Sequence, residues 1–455
     1  MRQTITQLRE ALGDAQVLTG EAISQRHYSD WTRHAPTCPA ALILPRDTAE
    51  VATALRICNA ARQAVVPQGG MTGLAGGAVP RSSDIALSLD RLRGIEEIDV
   101  AAATVTVKAG TTLQEIQQAV GDAGYLFPLD LGARGSCQIG GNIATNAGGN
   151  AVIRYGMTRD LVLGLEVVLA DGRVLNLMNK MIKNNCGYDL KQCFIGSEGT
   201  LGVITRAVLK MAPQPGQTTT LLCALPDYTS AVALLRRLQR SAGTPQAYEL
   251  MWQDFFRMGV SWLEHPVAPM PDHHPLYVLL ESSAASEVLE QTLQAAIEAG
   301  EVVDAILATS QTQARSLWKI REATGEFPVR LAPLNFDISL PIGQIGDFAA
   351  LCRQRLEQRW PANHSVYFGH IGDSNLHLTV DCNSLPQPAP ILEIEELVYS
   401  AVGELGGAVS AEHGIGLLKR EFLHHSVSAE ALQTMAELKR SFDPNGILNP
   451  GKIFV

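Results

Sequence analysis

Residues 1–37 predict an N-terminal helical arm, and the first regular alternation begins at Ala41. Ala41-Leu42-Ile43-Leu44 is an apolar run of strand length, and Asp47 and Glu50 have the spacing of a helix N-cap and its N3 partner. Val51, Ala54, Leu55 and Cys58 follow at i, i+3, i+4 and i+7, one apolar helical face, before strand-like Val65-Val66-Pro67. Residues 85–110 alternate in strand fashion, and Thr112-Leu113-Gln114-Glu115-Ile116 starts a second helix. Residues 161–176 predict a hairpin turning at Asp171-Gly172, with Leu163, Leu165, Val167 and Leu169 on one face. Strand-like Gly202-Val203-Ile204 follows, and Pro213-Gln214-Pro215-Gly216 marks the boundary of a first large domain, 38–216.

A second region, 217–405, again alternates strands and helices. Leu276–Glu281 is apolar and extended, Gln344–Trp360 is helical, and Ser365–Phe368 and Leu376–Val380 are strands around a polar turn. The tail, 406–455, holds a glycine-rich turn, a helix over 429–442 and the loop Asp443-Pro444-Asn445-Gly446. Mixed elements in two lobes predict an α+β enzyme.

Composition narrows the class. The chain has 455 residues with 36 Lys+Arg against 46 Asp+Glu, a net charge of −10 that argues against nucleic-acid binding through a basic surface. No apolar run reaches the roughly 18 residues needed to span a bilayer, and Met1-Arg2-Gln3-Thr4 does not start a signal peptide, so a cytoplasmic location is expected. Eight cysteines are scattered without a C-x-x-C pair, which removes ribbon-type zinc sites and thioredoxin-like chemistry.

Candidate chemistry gathers around glycine. Pro67-Gln68-Gly69-Gly70-Met71-Thr72-Gly73-Leu74-Ala75-Gly76-Gly77 follows a strand directly. Backbone amides without Cβ atoms beside them can converge on an anion, although an ordinary turn has the same composition. The loop is neither a P-loop nor a G-x-G-x-x-G fingerprint. Gly140–Asn150 and Ile195–Gly202 repeat the glycine-and-hydroxyl pattern, and three such loops in one domain favour a long phosphate-bearing cofactor. In the second region His370 and His377 flank Gly372-Asp373-Ser374-Asn375, and Glu412-His413-Gly414 comes later. Two histidines and a carboxylate at glycine-flanked turns have the composition of an open catalytic metal site. Gly196-Ser197-Glu198-Gly199 is not a serine elbow, because the serine directly follows the glycine.

The loops Pro67–Gly77 and Gly140–Asn150 and the stretch Phe194–Gly202 resemble the FAD-binding domain of the vanillyl-alcohol oxidase type. Phe368-Gly369-His370-Ile371-Gly372-Asp373-Ser374-Asn375-Leu376-His377 is similar to the FAD-linked oxidase C-terminal domain, and Phe442–Lys452 to the closing segment of the same enzymes. Within that family, Asn185–Gln192 looks most like the D-2-hydroxyglutarate dehydrogenase branch, beside D-lactate dehydrogenases and the glycolate oxidase flavin subunit. The resemblance implies non-covalent FAD, since the first loop has no histidine for flavin attachment. It implies that Pro67, Gln68, Gly69, Gly70, Met71, Thr72, Gly73 and Leu74 wrap the pyrophosphate. Further cofactor contacts are expected from Pro128, Asp130, Ser136, Gly140, Gly141, Asn142, Thr145, Asn146, Gly148, Gly149, Glu198, Gly202, Ile204 and Asn449.

The resemblance further implies that His370, His377 and Glu412 hold a divalent metal, zinc or manganese, and that His413 is the general base for a D-2-hydroxy acid. Arg321 matches an arginine that grips a substrate carboxylate, and the family's threonine one turn later falls at Gly325 or, with a one-residue gap, at Thr324. Asn335 stands where the family has a substrate-binding lysine, and Thr379 where the 2-hydroxyglutarate enzymes have an asparagine. Those departures keep D-lactate or glycolate open as substrates. A flavin-binding subunit of a larger complex is the competing class of function. Electron-transfer flavoprotein as electron acceptor and a homodimer are further family expectations.

Overall fold

The computed structural model describes residues 1–264 and 267–454. Its first long helix, Thr48–Ala60, starts where Asp47 accepts a hydrogen bond from the Glu50 amide, and it buries Val51, Ala54, Leu55 and Cys58. It links β2 (Ala41–Ile43) to β3 (Val65–Gln68), and both pair in parallel with β4 (Ile85–Ser88). Parallel strands of one sheet cannot be joined by a tight turn, and this helix supplies the crossover from one side of β4 to the other. Of the expected N-terminal helical arm only Arg2–Leu12 is α-helix. Gly13, at φ 93°, ends it, and β1 (Val17–Leu18) then pairs antiparallel with β2, giving the order β1-β2-β4-β3. A two-residue strand is too short to show a period.

A second, antiparallel sheet has the order β5-β6-β10-β8-β9. Its strands are β5 (Ile95–Asp99), β6 (Thr104–Lys108), β8 (Val162–Val168), β9 (Val174–Leu177) and β10 (Val203–Lys210), while β7 (Tyr125–Leu126) pairs with β11 (Ala212–Pro213). β8 and β9 form the expected hairpin about Asp171-Gly172. β8 is buried on both faces rather than one, because Glu166, on the face opposite Leu165 and Val167, is also covered. The Thr48 hydroxyl, at the start of the Thr48–Ala60 helix, donates to Glu166 Oε1 at 2.6 Å, and the Thr205 hydroxyl donates at 2.9 Å. Helix Leu113–Asp122 opens on a full capping box, Thr112 with Glu115.

Chain contacts divide the protein into two units, one of residues 1–149, 155–214 and 412–455, the other of 150–154 and 215–411. The tail thus belongs to the first unit. After helix Ala429–Phe442, the Val65 amide donates to Ile447 O at 2.8 Å and the Asn449 amide donates to Val65 O at 2.8 Å.

The second unit is built on one seven-stranded antiparallel sheet, order β15-β12-β14-β13-β17-β18-β16. The strands are β12 (Thr219–Leu225), β13 (Ala247–Trp252), β14 (Leu276–Ser282), β15 (Asp304–Leu307), β16 (Pro333–Ser339), β17 (Ser365–Gly369) and β18 (Asn375–Asp381). An aromatic core of Phe255, Phe256, Tyr277, Phe327 and Phe368 packs against it. Among the described residues no helix is long and apolar enough to cross a membrane.

Asp47 caps the helix that joins two strands of the parallel trio. Asp47→Ala is expected to lower stability by about 1 kcal/mol, read as a lower urea midpoint with unchanged slope.

Candidate active site

A cavity of about 340 Å³ opens in the first unit, lined by the whole Pro67–Ala75 loop, by residues from Cys137 to Gly148, and by Glu198, Gly202 and Ile204. Of the residues expected to contact a cofactor, Pro67 to Leu74, Gly140, Gly141, Asn142, Thr145, Gly148, Glu198, Gly202 and Ile204 line it. Pro128, Asp130, Asn146, Gly149 and Asn449 stand outside that lining, and Ser136 lines an adjoining cavity with Arg26, Asp90 and Arg93. Asp30, Trp31 and Leu131–Ala133 line the first cavity without having been singled out from the sequence. Leu131-Gly132-Ala133 carried a weak small-residue signal, and Asp30-Trp31 carried none.

The second glycine stretch is not the loop that its composition predicts. Gly140, Gly141 and Asn142 lie inside a helix, Ile139–Ala144. Gly140 is needed for close packing, since a Cβ there would sit 2.7 Å from Ala109 Cβ. Gly70 has a related role: a Cβ would collide with the Ser136 carbonyl, so the first loop can lie flat on the 136–137 backbone. Gly141 differs from both, because a Cβ built there meets no protein atom within 4 Å and points into open space. Among the described residues, Gln138 Oε1 and Asn142 Oδ1 are buried without hydrogen-bond partners, and both residues line the cavity. Buried acceptors of this kind normally find a donor. A flat ligand carrying N–H and O–H groups fits them, and the glycine-lined wall gives it room.

Glu412 and His413 also line this cavity, held by a turn with several fastenings. The buried Glu198 carboxylate accepts hydrogen bonds from the Ile415 amide at 2.7 Å and the Gly416 amide at 2.8 Å. Burial pushes its carboxyl up from the ordinary value, against the pull of those amides and of Lys419 and Lys452. Gly416 sits at φ 52° hard against Ala75 O, which also accepts from the Leu417 amide at 2.8 Å. Glu412 Oε1 in turn accepts from the Gly149 amide at 2.6 Å. Gly149 and Asn449 therefore act on the frame: Asn449 Nδ2 donates to Gly77 O at 2.9 Å and Glu198 O at 2.7 Å.

The second unit gathers its own cluster. His370 follows β17, Ser374 closes the turn at φ 75°, and His377 lies on β18, so the two imidazole centroids come within 5.4 Å at nearly right angles. Beside them is Glu249 of β13, fully buried, with Oε1 2.6 Å from His370 Nδ1 and Oε2 2.8 Å from Arg321 Nε. Burial alone would raise the Glu249 carboxyl, but the charges and hydrogen bonds of His370 and Arg321 outweigh it and hold the group at about 2. The Arg321 guanidinium lies 4.8 Å from the Phe368 ring centre, and the His377 ring lies 5.1 Å from the same ring. Thr324 follows Arg321 in a short 3₁₀ turn, Glu322–Glu326. The Thr379 hydroxyl donates to Asn335 Oδ1 at 2.8 Å, pairing neighbours across β16 and β18. Glu249 and Phe368 were not singled out as site residues, although a carboxylate inside the apolar run Ala247–Trp252 is itself a signal.

Comparison with known proteins is consistent along the whole chain. Residues 39–178 match the FAD binding domain, and residues 214–453 match the family described as FAD linked oxidases, C-terminal domain. The chain belongs to the FAD-linked oxidase family. As a member it is an FAD-dependent oxidoreductase. Relatives of this FAD-linked oxidase include a probable mitochondrial D-2-hydroxyglutarate dehydrogenase of Oryza sativa subsp. japonica, 40% identical over 99% of this chain and 81% of the relative. A D-2-hydroxyglutarate dehydrogenase of Xanthomonas citri pv. viticola is 38% identical over 99% of this chain and 96% of its own. Among solved structures, p-cresol methylhydroxylase with substrate bound aligns with a TM-score of 0.80 at 16% identity, covering 100% of this chain and 96% of that one. The fold is that of vanillyl-alcohol-oxidase-type flavoproteins.

The open space at Gly141 yields a discriminating test. Gly141→Ala is expected to keep or raise the stability of the flavin-free protein, by up to about 1 kcal/mol from helix propensity. It is also expected to weaken flavin retention, measured by the visible absorbance left after gel filtration.

Proposed function

We propose that this FAD-linked oxidase dehydrogenates a D-2-hydroxy acid, with D-2-hydroxyglutarate as first candidate and 2-oxoglutarate as product. The observation that carries the reading is the set of relatives named D-2-hydroxyglutarate dehydrogenase, 36–40% identical to this chain over nearly its whole length. Bound FAD supplies a two-electron acceptor. A divalent metal on His370, His377 and Glu412, zinc or manganese, supplies Lewis-acid polarisation of the substrate hydroxyl. That donor set, two imidazoles and a carboxylate, suits such an ion.

His413 accepts the hydroxyl proton on an imidazole nitrogen, the general-base role that histidine side chains most often fill. Arg321 holds a substrate carboxylate through its terminal nitrogens, because its Nε is engaged by Glu249. Asn335 and Thr379 face the far end of the acid. Their neutral hydrogen-bonded pairing, with Asn335 where the family has a lysine, favours a second reading, a shorter acid such as D-lactate or glycolate. Reducing equivalents leave to a carrier such as electron-transfer flavoprotein, and the working form is a homodimer.

The deciding experiment is an anaerobic visible spectrum of the flavin-loaded protein as D-2-hydroxyglutarate, D-lactate, glycolate and the L acids are added in turn. Bleaching by D-2-hydroxyglutarate is the expected result, and bleaching by D-lactate or glycolate alone selects the second reading. With the active substrate, His413→Ala is expected to slow flavin reduction about 10²- to 10⁴-fold, measured by stopped flow. Undiminished reduction would remove His413 from the reaction.

A further inference from the structure

Glu249 is fully buried in β13, a strand flanked on both sides by β14 and β17. A buried carboxylate is costly unless both of its oxygens are satisfied by charged or strongly donating partners. Here each oxygen serves one partner: Oε1 meets His370 Nδ1 at 2.6 Å and Oε2 meets Arg321 Nε at 2.8 Å. The register sets this up. Leu250 pairs with Gly369 across β13 and β17, so Glu249 and His370 lie next to that pair on adjacent strands. Arg321 arrives as the last residue of helix Gln311–Arg321, its guanidinium resting on Phe368.

An ionised carboxylate only accepts, so His370 must donate from Nδ1, and any metal bound by the ring falls to Nε2. Likewise, Glu249 takes Nε while the guanidinium lies over the Phe368 ring, which restrains Arg321 and leaves its Nη1/Nη2 edge as the one suited to a carboxylate ligand. One carboxylate thus ties together two side chains from different elements, His370 beyond β17 and Arg321 at the end of its helix.

We infer that Glu249 is a positioning residue, one buried carboxylate that aims Arg321 at the substrate carboxylate and fixes the Nδ1–H tautomer of His370. The inference rests on the functional reading above for the roles of its two partners.

The test compares wild type, Glu249→Gln and Glu249→Asp as flavin-loaded full-length proteins. An amide oxygen can accept from one partner but cannot serve both, and the shorter aspartate keeps the charge without the reach. Three readouts separate positioning from a structural role: KM against kcat for the hydroxy acid that bleaches the flavin, zinc affinity by titration, and the His370 tautomer by NMR on isotope-labelled histidine in metal-free protein. Expected are a metal-free wild-type ring protonated on Nδ1, a zinc affinity about 10- to 100-fold weaker in both variants, and KM raised far more than kcat falls. Flavin content should stay at the wild-type level.

Wild-type affinity and KM in both folded variants would overturn the inference, as would a wild-type ring protonated on Nε2. If the amide variant fails to fold, Glu249→Asp retains the charge and carries the test, and full rescue by aspartate overturns the inference. Wild-type protein that no hydroxy acid bleaches would defeat the functional reading instead, and the tautomer measurement would still judge Glu249.

Discussion

The amides of Ile415 and Gly416 donate to a carboxylate, Glu198, that lies more than two hundred residues earlier and is almost completely enclosed. Closing a loop of that length costs entropy that grows only slowly with its size, so a few buried, well-formed contacts suffice to hold it. The cavity of the first unit depends on this one. Without it the Glu412–Gly416 turn loses two hydrogen bonds at the point where Gly414 packs on Glu198 and Gly416 on Ala75, each too closely to admit a Cβ. Glu412 and His413 are then presented by a turn left to its remaining ties, the Gly149 amide on Glu412 and the Leu417 amide on Ala75 O.

Two buried glutamates show how surroundings divide otherwise equal side chains. Glu198 is stabilised mainly by neutral amides, with lysines acting from farther off, and burial wins, so its carboxyl titrates above the ordinary range. Glu249 is buried just as fully but meets an imidazole and a guanidinium directly, and the charges win. The first carboxylate fastens backbone. The second orients side chains, a use that needs full negative charge at fixed points.

Much of this could be read from residues alone, and the reason is local physics. Asp47 with Glu50, the hairpin at Asp171-Gly172 and the helix over 429–442 are specified by neighbours within one or two turns, and all appear where their spacing puts them. The Pro67–Leu74 loop announces itself through glycine. The same residue misleads at Gly140-Gly141, where low helix propensity hides a helix that tertiary packing against Ala109 demands. Asp30 and Trp31 reach the cavity by tertiary folding, for which no short-range pattern exists. Glu249 carried a signal of another kind, a single carboxylate inside the apolar run Ala247–Trp252, which points to a buried charge but does not name its partners.

The return of the tail to β3 carries a consequence for synthesis. Val65 is bonded on one side to Ile447 and on the other to Asn449, and Lys452 Nζ donates to Val79 O at 2.8 Å. The unit that holds the cavity is thus interrupted by the whole of the second sheet and completed by residues made after it. A nascent chain can finish its second unit while the first still waits for its closing segment. Cofactor capture should therefore wait for the synthesis of residues 412–455 rather than follow the appearance of the glycine loop.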